Sequence, residues 1–320
     1  MITNQPKLSI LVPLLNEEES LTPLTEWIDR VITEHNYTCE LLFIDDGSTD
    51  DSWSIIQELS VKYPYIKAVK FLRNYGKSAA LNVGFDRALG EIIITMDADL
   101  QDSPEEIPGL VQMIEQDGYD LVSGWKQKRF DPKFTKNLPS KLYNWAARKI
   151  SGIQLNDFNC GLKAYKHKVV KNVEVYGEMH RYIPVIAKNS GFTKIGEKVV
   201  SHQARQFGVT KFGYSRFING FLDLLSISFI GKFGKRPMHF FGAIGILSTV
   251  IGMAILGYLA FCKLVMQASN IDDRPLFFLG ILLVIVGVQL FIAGFLAELI
   301  IRNSQERNNY KVEDTIDVAS

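Results

Sequence analysis

Two apolar runs near the C-terminus constrain this chain more than any other feature. Met238–Cys262 holds 25 residues without an Asp, Glu, Lys or Arg, and Leu276–Ile301 holds 26 with one charge, Glu298. A bilayer core needs about 20 apolar residues, so each run can span it with some tilt. Helices buried in a soluble protein seldom stay apolar on all faces over such lengths. The linker Lys263–Pro275 is short, so the two spans are expected to form a hairpin. Lys232, Lys235 and Arg236 precede the first span, and Arg302, Arg307 and Lys311 follow the second. The linker sets Lys263 and Arg274 against Asp272 and Asp273. The positive-inside rule then puts both outer flanks in the cytoplasm and the linker outside. Met1–Leu8 shows no basic start followed by an apolar stretch, so the first 237 residues are expected to stay cytosolic.

That leaves a large head ahead of the spans. The 320-residue chain is 47% hydrophobic, which excludes disorder. Its three cysteines, Cys39, Cys160 and Cys262, form no CxxC pair and no disulfide framework. A formal net charge of +0 argues against nucleic acid as a partner. The head alternates strand and helix signals. Leu8–Leu15 reads as a buried parallel strand, and Asn16–Glu19 opens a helix with acidic residues in its first turn. Glu40–Asp45 is a second strand, with Thr49 or Asp50 available to cap the helix after it. Ile66–Phe71, Glu91–Met96 and Leu121–Gly124 read as further strands, and Lys77–Ala88 as a helix. Ser103-Pro104-Glu105-Glu106 reads as a capping box. This order implies an α/β fold with a mostly parallel sheet covered on both faces. Ligands of such sheets bind outside the carboxyl ends of the strands.

The acidic clusters fall at those ends. In Asp97-Ala98-Asp99-Leu100-Gln101-Asp102, two carboxylates at i and i+2 follow the buried strand Ile92-Ile93-Ile94-Thr95-Met96. Hard divalent cations prefer such oxygens, and Mg²⁺ or Mn²⁺ held there would neutralise a leaving nucleoside diphosphate. No GxGxxG loop follows the first strand and no P-loop is present, which argues against a dehydrogenase and against a kinase or ATPase.

Four segments together resemble family-2 glycosyltransferases with a GT-A fold. They are Leu11-Val12-Pro13 through Asn16-Glu17-Glu18, Asp45-Asp46-Gly47-Ser48-Thr49-Asp50, Arg73-Asn74-Tyr75-Gly76-Lys77, and the Asp97–Asp102 run. Asp157-Phe158-Asn159-Cys160-Gly161-Leu162-Lys163, Arg181-Tyr182-Ile183-Pro184 and Arg205-Gln206-Phe207-Gly208-Val209-Thr210-Lys211 are similar to the polyprenyl-phosphate branch of that family. The branch includes dolichyl-phosphate mannose synthases and bactoprenol glucosyltransferases with two C-terminal spans. The last motif usually has Ser where this chain has Thr210, a swap that keeps the hydroxyl.

The resemblance implies that Pro13, Glu17, Asp46 and Lys77 frame the base and ribose. It implies that Asp97 and Asp99 hold the metal, with Gln101 as a third oxygen ligand. Lys126, Arg129, Lys136, Ser140 and Arg181 become candidates for the diphosphate and the acceptor phosphate, and Arg205 and Lys211 stronger ones. Asp157 invites a general-base reading, but a phosphate acceptor is largely dianionic at pH 7 and needs no base. Asp157 can instead orient a basic residue, bind the donor sugar or cap a turn. Leu138, Leu142, Trp145, Ala146 and Lys149 lie near one face of a helix, with Lys141 and Arg148 beside it. Phe217, Phe221, Leu224, Leu225 and Phe229 form a second apolar stripe suited to a membrane interface.

The expected organisation is a cytosolic catalytic head at 1–212, an amphipathic juxtamembrane segment at 213–237, two spans within 238–303 and a cytosolic tail at 304–320. The expected activity is that of an integral-membrane inverting glycosyltransferase. It would move a sugar from a nucleotide-sugar donor, with UDP as the expected carrier, to polyprenyl phosphate at the cytoplasmic face. A homo-oligomer is expected through the hairpin. The QxxRW string of processive polysaccharide synthases does not occur. A non-catalytic lipid-binding scaffold and a saccharide-hydroxyl acceptor stand as the rival readings.

Overall fold

The computed structural model describes residues 5–127, 148–149, 151–177, 179–203, 237–265, 275–303 and 312–316. They fall into two compact units, residues 1–227 with 308–320, and residues 228–307.

The first unit is built on β1 (Leu8–Leu14), β2 (Cys39–Asp45), β3 (Ile66–Phe71) and β4 (Ile92–Thr95), all parallel where they pair. The crossovers are α1 (Glu18–Glu34), α2 (Ser52–Lys62) and α3 (Lys77–Arg87). A 3₁₀ turn, Pro104–Glu106, leads into α4 (Ile107–Glu115) and β5 (Leu121–Trp125). After β6 (Lys163–Lys166) come the short α5 (His167–Val170), then α6 (Ile183–Asn189) and β7 (Ile195–Val199). A last strand, β8 (Val312–Ile316), belongs to the same sheet, whose order is β7-β5-β6-β4-β1-β2-β3-β8.

The alternation of strand side chains decides both cores. Leu8, Ile10, Val12 and Leu14 pack with Leu21, Leu24 and Ile28 of α1 and Leu110 of α4 on one face. Leu11, Leu42 and Ile93 turn to the other face, against Leu81, Phe85, Tyr182 and Ile183. A sheet buried on both sides needs apolar residues at successive positions, which is why these strands read as unbroken apolar runs.

The five expected strands match within one residue at each end. Three strands were not foreseen. β6 inserts antiparallel between β4 and β5, β7 extends the sheet beside β5, and β8 pairs antiparallel with β3. Their sequences, KAYK, IGEKV and VEDTI, carry too many charges to announce strands; pairing in the sheet creates them. The tail segment 312–316 is therefore part of the head's sheet.

The capping box does not form. Ser103 makes no side-chain cap, and the Glu106 carboxylate is drawn away to Lys198 and to the Ser201 N–H at 3.0 Å. A charge-assisted bond outcompetes a local neutral one. Asp50 does act at helix starts. One of its oxygens accepts from Ser52 N–H of α2 at 3.1 Å, the other from Glu18 N–H of α1 at 3.2 Å. Thr49 instead gives its N–H to Asn16 Oδ1 at 2.9 Å.

The second unit is a hairpin of α7 (Pro237–Leu264) and α8 (Pro275–Asn303). Within it, Phe240–Leu264 and Pro275–Ala297 are long and apolar enough to cross a membrane. Large side chains such as Leu247, Met253, Phe278, Leu282 and Phe295 stay exposed. The helices meet through glycines seven residues apart, Gly245 and Gly252 on α7 against Gly287 and Gly280 on α8. A Cβ on Gly245 would lie 2.6 Å from the Gly287 carbonyl oxygen, and one on Gly252 2.7 Å from that of Gly280. Where no water drives apolar faces together, such close backbone packing holds helices instead.

Gly287→Val should therefore push the hairpin apart. Overpacking of this kind costs about 1–3 kcal/mol, and a lower thermal-unfolding midpoint in detergent is the expected reading. Gly257→Val is the control, because no atom lies within 4 Å of a Cβ there.

Candidate active site

The strand register gathers the site. Leu14 pairs with Asp45 and Leu11 with Thr95, so the carboxyl ends of β1, β2 and β4 emerge on one edge. Pro13, Asp46 and Asp97 come with them.

Loops at this edge are cross-tied. The Asn16 N–H donates to Ser48 Oγ at 2.9 Å, and the Glu17 N–H donates to Ser52 Oγ at 3.1 Å. Asp45 Oδ1 accepts the Ser48 N–H at 2.8 Å. Asp46 is buried, and its two oxygens accept the N–H groups of Tyr75 and Gly76 at 2.7 and 2.9 Å. Burial raises its pKa despite those bonds. Asp46 thus holds the loop that ends in Lys77, the first residue of α3. In that loop the Arg73 guanidinium stacks 4.6 Å over the Tyr75 ring.

Lys77 forms an ion pair with Asp97, the first carboxylate after β4. The turn beyond it is strained. Leu100 has φ 59°, a left-handed conformation unusual for a bulky residue, and costs of about 1–3 kcal/mol are typical there. Its side chain is buried with Met96 and Ala98 in the core, and that packing holds the strained backbone in place. Gly161 lies against the same carboxylate. A Cβ at Gly161 would sit 2.5 Å from Asp97 Oδ2. Thr95 Oγ1 fixes that glycine by donating to its carbonyl at 2.8 Å.

Three lysines from three other segments balance the carboxylates. Lys77 meets Asp97, Lys126 Nζ lies 2.6 Å from Asp102 Oδ1, and Lys163 donates to the carbonyls of Cys160 and Phe158 below. Burial works against the Asp97 charge, but Lys77 and Lys126 outweigh it and hold the carboxyl down at about 2. Burial, and next the Asp97 charge, push Asp99 up to about 6. Burial opposes the Lys126 charge, yet Asp102, Cys160 and Asp97 together outweigh it and raise its pKa. Lys163 is depressed by burial.

A narrow cleft opens beside the Lys77–Asp97 pair, with Pro13, Lys77, Asp97, Asn159, His180 and Arg181 in its walls. The His180 N–H donates to Ser78 Oγ at 3.0 Å, and its ring Nδ1 lies 3.1 Å from the same oxygen. Burial, with Lys77 nearby, keeps His180 well below its ordinary pKa and hence neutral at pH 7.

The structure thus joins Pro13, Lys77, Asp97 and Arg181 in one cleft. Asp99 and Gln101 sit in the adjoining turn, where the Gln101 N–H donates to Asp99 Oδ1 at 3.2 Å. Two candidates are placed differently. Lys126, proposed from the sequence as a phosphate ligand, is 11% exposed and committed to Asp102, because a buried carboxylate demands a counter-ion. Asp157 is 2% exposed, and its Oδ1 accepts the Asn159 N–H at 3.0 Å, a bond of the turn-capping kind. Arg129, Lys136, Ser140, Arg205 and Lys211 lie outside the described residues, as do the Phe217–Phe229 stripe and most of the Leu138–Lys149 stripe. Asp102, Lys163, Gly161 and His180 were not singled out from sequence. Each lay inside or beside a quoted motif, and only the cleft shared with Asp97, or for Asp102 the pair with Lys126, gives it meaning.

The donor chemistry of the turn fits a divalent cation. Asp97 and Asp99 are close enough for one charge to raise the other's pKa, and a divalent cation relieves such repulsion. Among the described residues no third His, Cys, Asp or Glu joins them, so amide or ligand oxygens would complete the shell.

A mostly parallel sheet that brings a carboxylate turn and a charged cleft to its carboxyl edge is the arrangement of a GT-A-type transferase fold. Solved structures agree. Glucosyl-3-phosphoglycerate synthase of Mycobacterium tuberculosis in complex with UDP aligns with TM-score 0.55 and 19% identity, over 70% of this chain and 80% of that one. Its complex with Mn²⁺, UDP and glucosyl-3-phosphoglycerate aligns with TM-score 0.54 and 17% identity, over 71% and 80%. The family model for glycosyl transferase family 2 matches residues 9–173. Dodecaprenyl-phosphate galacturonate synthase of Rhizobium johnstonii is 39% identical over 306 residues, 94% of this chain and 90% of that one. Undecaprenyl-phosphate 4-deoxy-4-formamido-L-arabinose transferase of Pseudomonas syringae pv. syringae is 34% identical over 292 residues, 91% and 84%. The chain belongs to glycosyl transferase family 2, and it is a glycosyltransferase.

Gly161→Ala tests the packing behind the carboxylate turn. The added methyl meets the end of a side chain, so the fold should survive while Asp97 is displaced. Misplacement of a reacting group can cost about 100-fold, so sugar transfer should fall by one to two orders of magnitude, with the unfolding midpoint nearly unchanged. Transfer at the wild-type rate would show that Asp97 tolerates the shift.

Proposed function

We propose that this protein moves a sugar from a nucleoside diphosphate to the phosphate of a polyprenyl lipid, at the cytoplasmic face of a membrane that α7 and α8 cross. The observation that carries the proposal is the carboxylate turn Asp97–Asp99 beside Lys77, in a chain whose similarity to two polyprenyl-phosphate sugar transferases extends over most of its length, hairpin region included. UDP is the proposed carrier, and Mg²⁺ or Mn²⁺ the proposed cofactor. Solved proteins of like fold that bind UDP with Mn²⁺ support both choices.

Asp97 and Asp99 would hold the cation, with Gln101 close by in the same turn. Bound there, the cation neutralises charge on the departing diphosphate. Lys77, set at the start of α3 by the loop that Asp46 holds, can pass from Asp97 to a phosphate oxygen as donor enters. Arg181 presents a second cation at the cleft wall. Neutral His180 can hydrogen-bond there without adding charge. The lipid phosphate attacks the anomeric carbon with an oxygen already ionised, so no base is required, and because it displaces the nucleoside diphosphate in one step the configuration inverts. The burial of Asp157 in a turn supports that economy. Arg205 and Lys211 are proposed as ligands of the lipid phosphate.

The test is transfer from a panel of labelled nucleotide sugars to polyprenyl phosphate, polyprenol and a simple oligosaccharide. Labelled lipid is expected from the phosphate only, and EDTA should abolish it. Equal transfer to an unphosphorylated acceptor would refute the lipid-phosphate reading, and full activity in EDTA would remove the cation.

The orientation has support beyond the flanking charges. The chain leaves the head's sheet after β7, makes an antiparallel pair of helices and rejoins the sheet as β8, so both outer ends of the hairpin connect to the same folded unit. The hairpin's exposed apolar faces suit lipid or a second copy, and a homo-oligomer is part of the proposal. A cysteine introduced at Ser269 should react with an impermeant thiol reagent in intact cells, and one at Ser320 should not. The reverse pattern would overturn the assignment.

A further inference from the structure

The proposed function leaves the innermost charges of the turn without a task. Asp102 is 0% exposed, so its charge is sealed from water. Its compensation is the Lys126 ammonium at 2.6 Å. Both ends of this pair are anchored. Asp102 forms an antiparallel bridge with His202, and the Gln203 N–H donates to the Gln101 carbonyl at 3.0 Å. Lys126 follows directly on β5, whose Trp125 carbonyl accepts the Val200 N–H at 3.1 Å. Three passes of chain therefore meet at one buried charge pair. Between this anchor and Asp97 lies Leu100 with its left-handed backbone, a turn that must be held from both sides.

We propose that the buried Asp102–Lys126 ion pair is a positioning strut that fixes the Asp97–Asp102 turn against the end of β5, and that Lys126 is not a phosphate ligand. The inference rests on the reading of that turn as the donor site. Removing one member strands the other as an uncompensated buried charge, whereas removing both does not.

The experiment uses the full chain in detergent, with Asp102→Asn, Lys126→Met and the double variant. One readout is amide hydrogen exchange over residues 96–103 without any ligand. The other is UDP affinity in the presence of Mn²⁺, by calorimetry. Each single variant should speed exchange across the turn and weaken UDP by about tenfold or more, and the double variant should recover most of both losses. A role in global stability alone would lower the unfolding midpoint but leave UDP affinity of the folded protein unchanged, which would overturn the strut. So would a Lys126→Met loss that neither Asp102→Asn nor exchange reproduces and that the double variant fails to relieve; Lys126 would then be a phosphate ligand. If a single variant does not fold, the double variant must fold and bind, and its failure also refutes the pair. If the wild type does not bind UDP with Mn²⁺, the donor reading fails, while the exchange arm still decides the strut: unchanged exchange in the single variants overturns it.

Discussion

The site depends on balancing buried charge. Asp97, Asp99 and Asp102 occupy six consecutive positions at the edge of an apolar sheet. Carboxylates so close together and so poorly hydrated cannot all ionise unaided. The fold answers with lysines from distant segments: Lys77 from the start of α3, Lys126 from the end of β5 and Lys163 from β6. Meeting that demand brings residues of α3 and β6 to the cleft walls and ties the end of β5 to the carboxylate turn. The balance is uneven. Asp97 stays ionised while Asp99 is raised to about 6, so the turn keeps a charge that a divalent cation can complete.

The hairpin obeys a different rule. Its helices carry few charges, all near their ends, and their backbones approach through glycines at heptad spacing. Bulky side chains point away from the seam, which suits them to an apolar solvent. The two units are tied by the chain twice, once ahead of α7 and once through β8. β8 also covers β3, which would otherwise be the sheet's exposed edge next to the loop that carries Lys77.

Much of the site was legible because its parts are local. The Asp97–Asp99 spacing after an apolar strand, the Asp45-Asp46 pair and the Arg73–Lys77 loop are short strings whose chemistry is contained within them. What was not legible is pairing at long range. Lys126 looked like a free cation near a phosphate, yet 24 residues separate it from the buried Asp102 that claims it. Glu106 looked like a capping residue until Lys198 and Ser201 competed for it. Asp157 reads from sequence as a base, an orienting group, a sugar ligand or a cap, and its burial and its bond from Asn159 exist only in the fold.

The sequence alone determined the two long apolar helices, the parallel α/β head and the carboxyl-edge location of the acidic motifs, because hydrophobic periodicity and strand polarity are properties of the chain taken a few residues at a time. Only the tertiary structure decided which lysine meets which carboxylate, that Gly161 must lack a side chain beside Asp97, and that a charged tail segment becomes β8. Those outcomes depend on desolvation and on the sharing of backbone hydrogen bonds, quantities that do not exist until distant segments are in contact.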